Sequence, residues 1–584
     1  KVNNPNQLNI FDPWDFLTPK RRQMLDAGWP GLFREQILPS IPVNKVSKYF
    51  NATFGRPTKE LYSMLGALIL QQTFDLTDEE TVQQYAFNIQ WHYSLNISEE
   101  SDNAKYISLK TLWNNRNIVA QNDLEHDIFN AGTATLAQAF KVNIDQQRID
   151  SVHIKSNMRK LSRIGIFSQA IFKFLTNLKR HHQDLFAMLG NQLVERYASA
   201  KALKAFSHIK PSASAKTLLQ VSNDLYDLIE TFKEQAAVTR RHSYKLMQRV
   251  FGEHCELSCD GAKRCVVVKK PKDVPTDSLQ NPSDPDAAYS GHKGQGYQVQ
   301  VMESFSQHDG KQQNNARLNL ITHVSVEKAN CHDGDALMPA IKASAQLGLK
   351  PDMLLADTPY GSDQNAQDAK ADGVELVAPT RAGDNGCPKS PITLRDFTFG
   401  ENGRITVCPA HQLPVNVRYK KKTQRFSARF DRQDCQRCPH VDACPINPGK
   451  KHYYLWYSEK DYRLAVRRQF EDSEAFIDIY RWRAGVEATM SQYDRLTGVK
   501  HLRVRGLKAV RFCATLKAAG VNILRAAVVR AAQHRAKCTA KGRLRANLIP
   551  FPFFKEQIGR CWSNFQKMSR PNLVGNYAAH KTAA

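Results

Sequence analysis

Apolar positions in the first quarter of the chain recur at helical spacing. In "GRPTKELYSMLGALILQQ", Leu61, Met64, Leu65 and Leu68 share one face behind Thr58, which is placed to cap the helix. "TDEETVQQY" sets Thr77 and Glu80 three apart, the spacing of a capping box. Tyr85, Phe87, Trp91 and Tyr93 follow and are assigned to a helical-bundle core. "RIDSVHIKSNM" breaks the period: Ile149, Val152 and Ile154 fit a short strand, with Asp150 inside it, where Asp is depleted.

A second helical region is expected over about residues 166–252, and "LLQVSNDLYDLIETFKEQ" is its clearest amphipathic piece. The Pro-, Gly-, Ser- and Asp-rich "KKPKDVPTDSLQNPSDPDAAYSGHKGQG" reads as loop. Strands then come in series. "YQVQVM" alternates Tyr297, Val299 and Val301 with Gln298 and Gln300, and "LNLITHVSV" puts Leu318, Leu320, Thr322, Val324 and Val326 on one side. A helix over "DALMPAIKASAQLG" precedes "DMLLAD", whose apolar run suits a strand buried on both faces. "SDQNAQDAKADG" is a helix capped by Ser362 and stopped by Gly373, and "VELVAP" is a further strand. The order means mixed α/β. Residues 385–460 interrupt it with Cys, Pro and basic residues, helices resume to about 530, and a basic tail carries the apolar knot "IPFPFF".

With 584 residues, about three or four domains are expected. Hydrophobic content of 42% is that of a globular protein. No apolar run approaches the ~20 residues that span a bilayer, so no membrane partner is expected. The chain opens on Lys1 rather than Met, so an earlier start is expected, and no charged-then-apolar leader is visible. Without a leader, a disulfide framework is not expected of the 12 cysteines; Cys513 and Cys538 read as single thiols on helices. The 82 Lys and Arg against 56 Asp and Glu leave a net charge of +26, which points to a polyanion. No Gly-rich loop ends in Gly-Lys-Ser/Thr, which argues against a helicase or ATPase.

Three carboxylates stand out. Asp357 ends the strand "MLLA" and starts the turn "DTPYGSD", at the strand end where sites in open α/β sheets gather. Asp150 lies within an apolar strand, where a lone carboxylate is costly unless paired or metal-bound. Glu487 sits on a helix whose Ile479, Val486 and Met490 face a core. Three such acids can hold two divalent cations, and Mg²⁺ or Mn²⁺ suits a few carboxylates with water and phosphate oxygens.

"LLADTPYGSDQN" and "YRWRAGVEATM" resemble the second and third acidic motifs of bacterial insertion-sequence transposases of the DDE type. Tyr480, Arg483 and Glu487 match their Tyr-x2-Arg-x3-Glu signature. The signature has a Lys seven residues after the Glu; here Asp494 stands there, so the basic role passes to Arg495 or Lys500. "RIDSVHIKSNM" is similar to the first acidic motif, "NPSDPDAAYSGHKGQGYQVQV" to the second-strand segment, and "FGRPTKELYSMLGALILQQTFDLTDEETVQQYAFNIQWHY" to the helical N-terminal domain.

The resemblance covers most of residues 50–525. It implies an RNase H-like core holding Asp150, Asp357 and Glu487 as metal ligands, with Tyr480, Arg483 and Arg495 or Lys500 on DNA and Arg483 holding a phosphate. The implied division is a helical DNA-binding or dimerisation domain at 1–145, the first core strand at 146–165, a helical insertion at 166–255, core strands and helices at 285–385, a Cys-rich insertion at 386–460, core helices with the third acid at 461–530 and a basic tail at 531–584. Asp150 lies 207 positions before Asp357, so the insertion must separate the first and second strands. Asp260 in "LSCDGAKRCVVV" is the rival first acid, while Asp284 and Asp286 flank Pro285 and are expected to shape a turn.

Cys408, Cys435, Cys438 and Cys444 combine a Cys-x2-Cys with two further thiols, a donor set for structural Zn²⁺, with His411 and His440 as substitutes. The neighbouring "RYKKKTQR" is expected to face DNA. The expected function is metal-dependent cleavage at element ends and joining of the 3′-OH to target double-stranded DNA. Water and then the 3′-OH attack in line, at least two copies act together, and the work is done in the bacterial cytoplasm at the nucleoid. The competing readings are a hydrolytic nuclease on the same fold, which cuts without joining, and a domesticated DNA-binding protein with a dead site.

Overall fold

The computed structural model describes residues 2, 12–50, 59–206, 208–260, 263–307, 317–381 and 392–540. Before Gln146, every regular element among them is helical. Helix α1 (Leu61–Thr73) is buried along nearly its whole length. Its cap is Glu60, whose carboxylate accepts from the amides of Tyr62 and Ser63; Thr58 lies outside the described residues. Helix α2 (Asp78–Phe87) has the expected capping box of Thr77 and Glu80. Tyr85, Trp91 and Tyr93 are core residues, but Phe87 is 86% exposed, because it ends α2 and points away from the bundle.

Strand β1 (Gln146–Lys155) leads into helices α3 (Arg163–His181), α4 (Pro211–Phe232) and α5 (His242–His254). These three form a separate core around Phe167, Phe174, Leu225 and Met247. The chain then returns to the sheet as β2 (Gly294–Ser304) and β3 (Ile321–Lys328). Helix α6 (Leu337–Gln346), β4 (Met353–Leu355), helix α7 (Asp363–Ala371) and β5 (Glu375–Val377) complete it. Ser362 caps α7 and Gly373, at φ +72°, turns the chain out of it.

The sheet order is β3-β2-β1-β4-β5, with the short strand Ala288–Ser290 added to β2. β1 is antiparallel to β2 and parallel to β4, and β4 is parallel to β5. The alternation of "YQVQVM" does not separate core from solvent, since Gln298 and Gln300 are as buried as Val299 and Val301. β2 is an interior strand covered on both faces, and its glutamines are satisfied by neighbours: Gln300 donates to Asp333 and accepts from Tyr360.

One sheet face packs on α1 and the C-terminal helices through Val152, Val299 and Val301, and the other on α6 and α7 through Ile149 and Met302. Strands β6 (Asn416–Lys420), β7 (Arg425–Asp431) and β8 (His452–Ser458) build a second antiparallel sheet with its own core. The helical segment expected to carry Glu487 is two helices, α8 (Glu474–Tyr480) and α9 (Gly485–Thr497), joined by a 3₁₀ turn. Ile479 therefore belongs to a different helix from Val486 and Met490.

The last helix, α10, spans Leu507–Ala540. Over Leu507–Arg535 it is long and apolar enough to cross a membrane, contrary to the expectation from the sequence, yet 78% of its most apolar stretch is buried, which is the pattern of a core helix. Residues 1–530 form one contact unit and 531–584 another; Cys538 and "IPFPFF" lie outside what is described of side chains.

Candidate active site

β1 and β4 pair in parallel from Gln146 opposite Met353 to Arg148 opposite Leu355. Two residues further on, the same register brings Asp150 beside Asp357. Strand side chains alternate, so both point to the face that carries Arg148 and Leu355. Each aspartate is fixed in the same way. Asp150 Oδ1 accepts from the Ser151 amide (2.7 Å) and Asp357 Oδ1 from the Thr358 amide (2.8 Å). The capping role of Asp357 thus uses one oxygen and leaves the other free to face the site.

Both free oxygens meet the same group. Arg483 Nη2 lies 2.9 Å from Asp150 Oδ2 and 3.5 Å from Asp357 Oδ2, and its Nη1 lies 3.2 Å from Glu487 Oε1. Arg483 comes from the 3₁₀ turn and Glu487 from the first turn of α9, four residues on, so one helical turn presents both. Carboxylates from three separate stretches of chain converge on one guanidinium.

Burial pushes the Asp150 carboxyl above its ordinary value, and Asp357 and Asp333 push the same way, against the pull of the Ser151 amide and Arg483. Arg483 is partly buried, which opposes its charge, but Asp150 and Asp357 more than compensate and hold it protonated. The site demands positive charge and is met by Arg483. Glu487 is 69% exposed and forms the open side.

Hard carboxylate oxygens are the donors Mg²⁺ and Mn²⁺ take, and the guanidinium stands in for such a cation. Among the described residues, no three His, Cys, Asp or Glu side chains close around an ion position; here Arg483 occupies the middle. The donor set fits a divalent ion once that guanidinium moves aside.

A buried network holds the turn in place. Glu303, fully buried on β2, accepts from Arg148 Nε (2.7 Å), Arg525 Nη1 (3.0 Å) and the Thr489 hydroxyl (2.6 Å). Arg148 Nη1 also donates to the Trp482 carbonyl (2.6 Å), one residue before Arg483. A Cβ on Gly485 would press into the Arg148 guanidinium, so a larger residue there would push Arg148 off Glu303 and the Trp482 carbonyl. The sequence reading missed all of these residues. The one signal was Arg148 next but one to Asp150 in an apolar strand.

The other candidates lie elsewhere. The backbone of Asp260 ends a two-stranded ribbon apart from the main sheet. Asp284 does more than shape a turn: it is buried and accepts from Ser156, Tyr297 and the Gly506 amide, and Asp286 accepts from the Leu507 amide. Tyr480 stacks on Phe476 (5.0 Å) and borders the site; burial raises its phenol, as does the charge of Asp357. Arg495 is exposed on α9, and Lys500 leans toward Asp494 (3.9 Å).

Cys408, Cys435, Cys438 and Cys444, with His440, line one small cavity under the second sheet. The Gln412 amide donates to Cys408 Sγ (3.3 Å). Burial, then the neighbouring thiols, push Cys435 up to about 12. His411, at φ +59°, turns the loop after Cys408 and is not among the cavity's lining residues.

No curated protein matches the chain. A family model described as the transposase DDE domain matches residues 407–527. This stretch holds Tyr480, Arg483, Glu487 and the four cysteines, while Asp150 and Asp357 lie ahead of it. A second, the transposase domain DUF772, matches residues 26–117 in the helical part. With one match at each end, around a mixed sheet whose acids converge on the signature arginine, the two matches support an insertion-sequence transposase of the DDE type.

Proposed function

We propose that this transposase cuts the ends of its insertion element and joins the freed 3′-OH to target DNA, with Asp150, Asp357 and Glu487 as the acids that hold its divalent metal. The observation that carries the reading is the meeting of three distant carboxylates on one guanidinium beside the carboxyl end of β4. The order β3-β2-β1-β4-β5, antiparallel then parallel, supports an RNase H-like core, with the helical residues 166–255 inserted after its first strand.

Bound Mg²⁺ or Mn²⁺ would polarise the scissile phosphodiester and lower the pKa of the attacking water. The chain's own residues do the rest. Asp150 and Asp357 keep one oxygen each on a backbone amide, so neither can rotate away. Arg483 releases the acids and takes a DNA phosphate, which its planar fork suits. Tyr480, Arg495 and Lys500 border the DNA path. Joining two ends calls for at least two copies at work, in the compartment that holds the DNA. Cys408, Cys435, Cys438 and Cys444 would hold a structural zinc that ties the loops beneath the second sheet to its core.

The test is cleavage and joining of DNA bearing the element's ends, in Mg²⁺, by wild type beside Asp357→Asn. Joined product from wild type alone supports the proposal; cleavage without joining makes the protein a hydrolytic nuclease.

A further inference from the structure

The second sheet has two unlike faces. Phe426, Ala428, Phe430, Leu455 and Tyr457 point inward to its core. The register places Arg418, Ser427 and Trp456 in one row across the outer face, Asn416, Arg429 and Tyr454 in the next, and Lys420 opposite Arg425 in a third. Outward positions are thus occupied by cations and aromatic rings.

The Tyr454 and Trp456 rings stack, 5.6 Å apart and tilted by 5°. Trp456 is 54% exposed, unusual for the largest apolar side chain. The Arg429 guanidinium lies 5.8 Å from the Tyr454 ring centre. Among the described residues, none of Arg418, Lys420, Arg425 and Arg429 pairs with a carboxylate. The one acid in the three strands, Asp431, is turned to cap the helix that follows it. Four cations without counter-charge, interleaved with an open aromatic stack, suit a chain that is both polyanionic and rich in flat faces.

We infer that this face binds an unpaired DNA strand, its bases stacking on Trp456 and Tyr454 and its phosphates on Arg418, Lys420, Arg425 and Arg429. A duplex offers phosphates but keeps its base faces inside, so an exposed ring stack is of use only to an opened strand. The inference rests on the transposase reading only for naming DNA. In that setting the strand is one freed or melted at an element end. The zinc proposed at Cys435 would lie beneath the same platform and is not needed for the argument.

The experiment uses the full chain as purified, without added Mg²⁺ or Mn²⁺, so binding is read apart from cleavage. A labelled single-stranded oligonucleotide and its duplex are titrated by anisotropy against wild type, Trp456→Ala and Arg418→Gln/Arg425→Gln. Trp456 is exposed, so thermal melting should show the alanine variant folded. Trp456→Ala should weaken single-strand binding about ten-fold and leave duplex binding within about two-fold. The double variant should flatten the salt dependence of single-strand binding. A single strand carrying 5-iododeoxyuridine, irradiated on wild type, should crosslink within residues 452–458. Crosslinks elsewhere only, or unchanged single-strand affinity in Trp456→Ala, overturn the inference, and equal losses on both DNAs show a duplex surface instead. Asp357→Asn should bind like wild type: its loss of cleavage would leave this inference standing, and failure here would leave the catalytic proposal standing.

Discussion

Asp150 and Asp357 are neighbours across a parallel strand pair, although they lie 207 positions apart in the chain. Each is tied by one oxygen to the next backbone amide and offers the other to Arg483. If they act with Glu487 as one unit, Asp150→Asn, Asp357→Asn and Glu487→Gln should each cut cleavage by about a thousand-fold or more, and a double variant should be little worse. DNA affinity, which draws on Lys and Arg, should barely move. Parallel gel-shift and cleavage assays decide it. Wild-type cleavage by Asp357→Asn or Glu487→Gln ends the catalytic proposal, and an active Asp150→Asn beside a dead Asp260→Asn moves the first acid.

Arg483 separates three like charges. Arg483→Gln should lower the melting temperature of metal-free protein at neutral pH, because the acids then repel across the gap. Added Mn²⁺ should recover more melting temperature in Arg483→Gln than in wild type, where the guanidinium competes for the same oxygens. Equal Mn²⁺ responses in the two proteins would show that Arg483 does not occupy the ion's place.

Much of this was legible in the sequence, and the remainder has physical reasons for being hidden. Thr77 and Glu80 announce α2 because a capping box is local. Glu487 is found by its motif, since four residues of helix carry both it and Arg483. The meeting of Asp150 and Asp357 depends on strand register, which no local pattern encodes. Gln298 and Gln300 alternate with Tyr297, Val299 and Val301, which does not reveal that both glutamines are buried; they are, because β2 is interior and Asp333, Cys331 and Tyr360 satisfy them. Arg148 and Glu303 are hidden for the same reason: a charged pair on β strands suggests exposure until both partners are seen together.

That pair supports the turn before α9, and two substitutions probe it. Gly485→Ala drives a methyl into Arg148 and should cost about 1–3 kcal/mol as overpacking. Glu303→Ala strands Arg148 and Arg525 without their shared carboxylate and should cost about 3–5 kcal/mol, the scale for one half of a buried ion pair. Chemical denaturation measures both. Losses under about 0.5 kcal/mol, the range of an ordinary surface change, would mean that the network does not hold the turn.

The cysteine cluster makes a compositional prediction. Purified protein should carry about one zinc per chain, as closed four-ligand sites do. Cys435→Ser or Cys438→Ser should lower that content and open residues 400–455 to protease first. Protein stripped of metal with unchanged proteolysis would leave four free thiols.

Acid stability should be set in part by two imidazoles. Burial holds His254 and His323 down to about 4, with Arg163 pressing further on His254 and His126 on His323. Among the described residues, neither His254 nitrogen nor His323 Nε2 has a hydrogen-bond partner. The unfolded chain takes up these protons near the ordinary value of 6.5, whereas the folded chain resists them until about 4. Their contribution is therefore complete above that ordinary value and is lost as pH falls toward about 4, by on the order of 3 kcal/mol per histidine. His254 meets Phe167 edge-on at 5.7 Å in the core of the helical insertion, a place an aromatic ring can keep. His254→Phe should leave stability at neutral pH nearly unchanged and make its fall between the two pH values shallower. Urea unfolding across that range reads the slope, and a slope equal to wild type would assign the acid sensitivity to other groups.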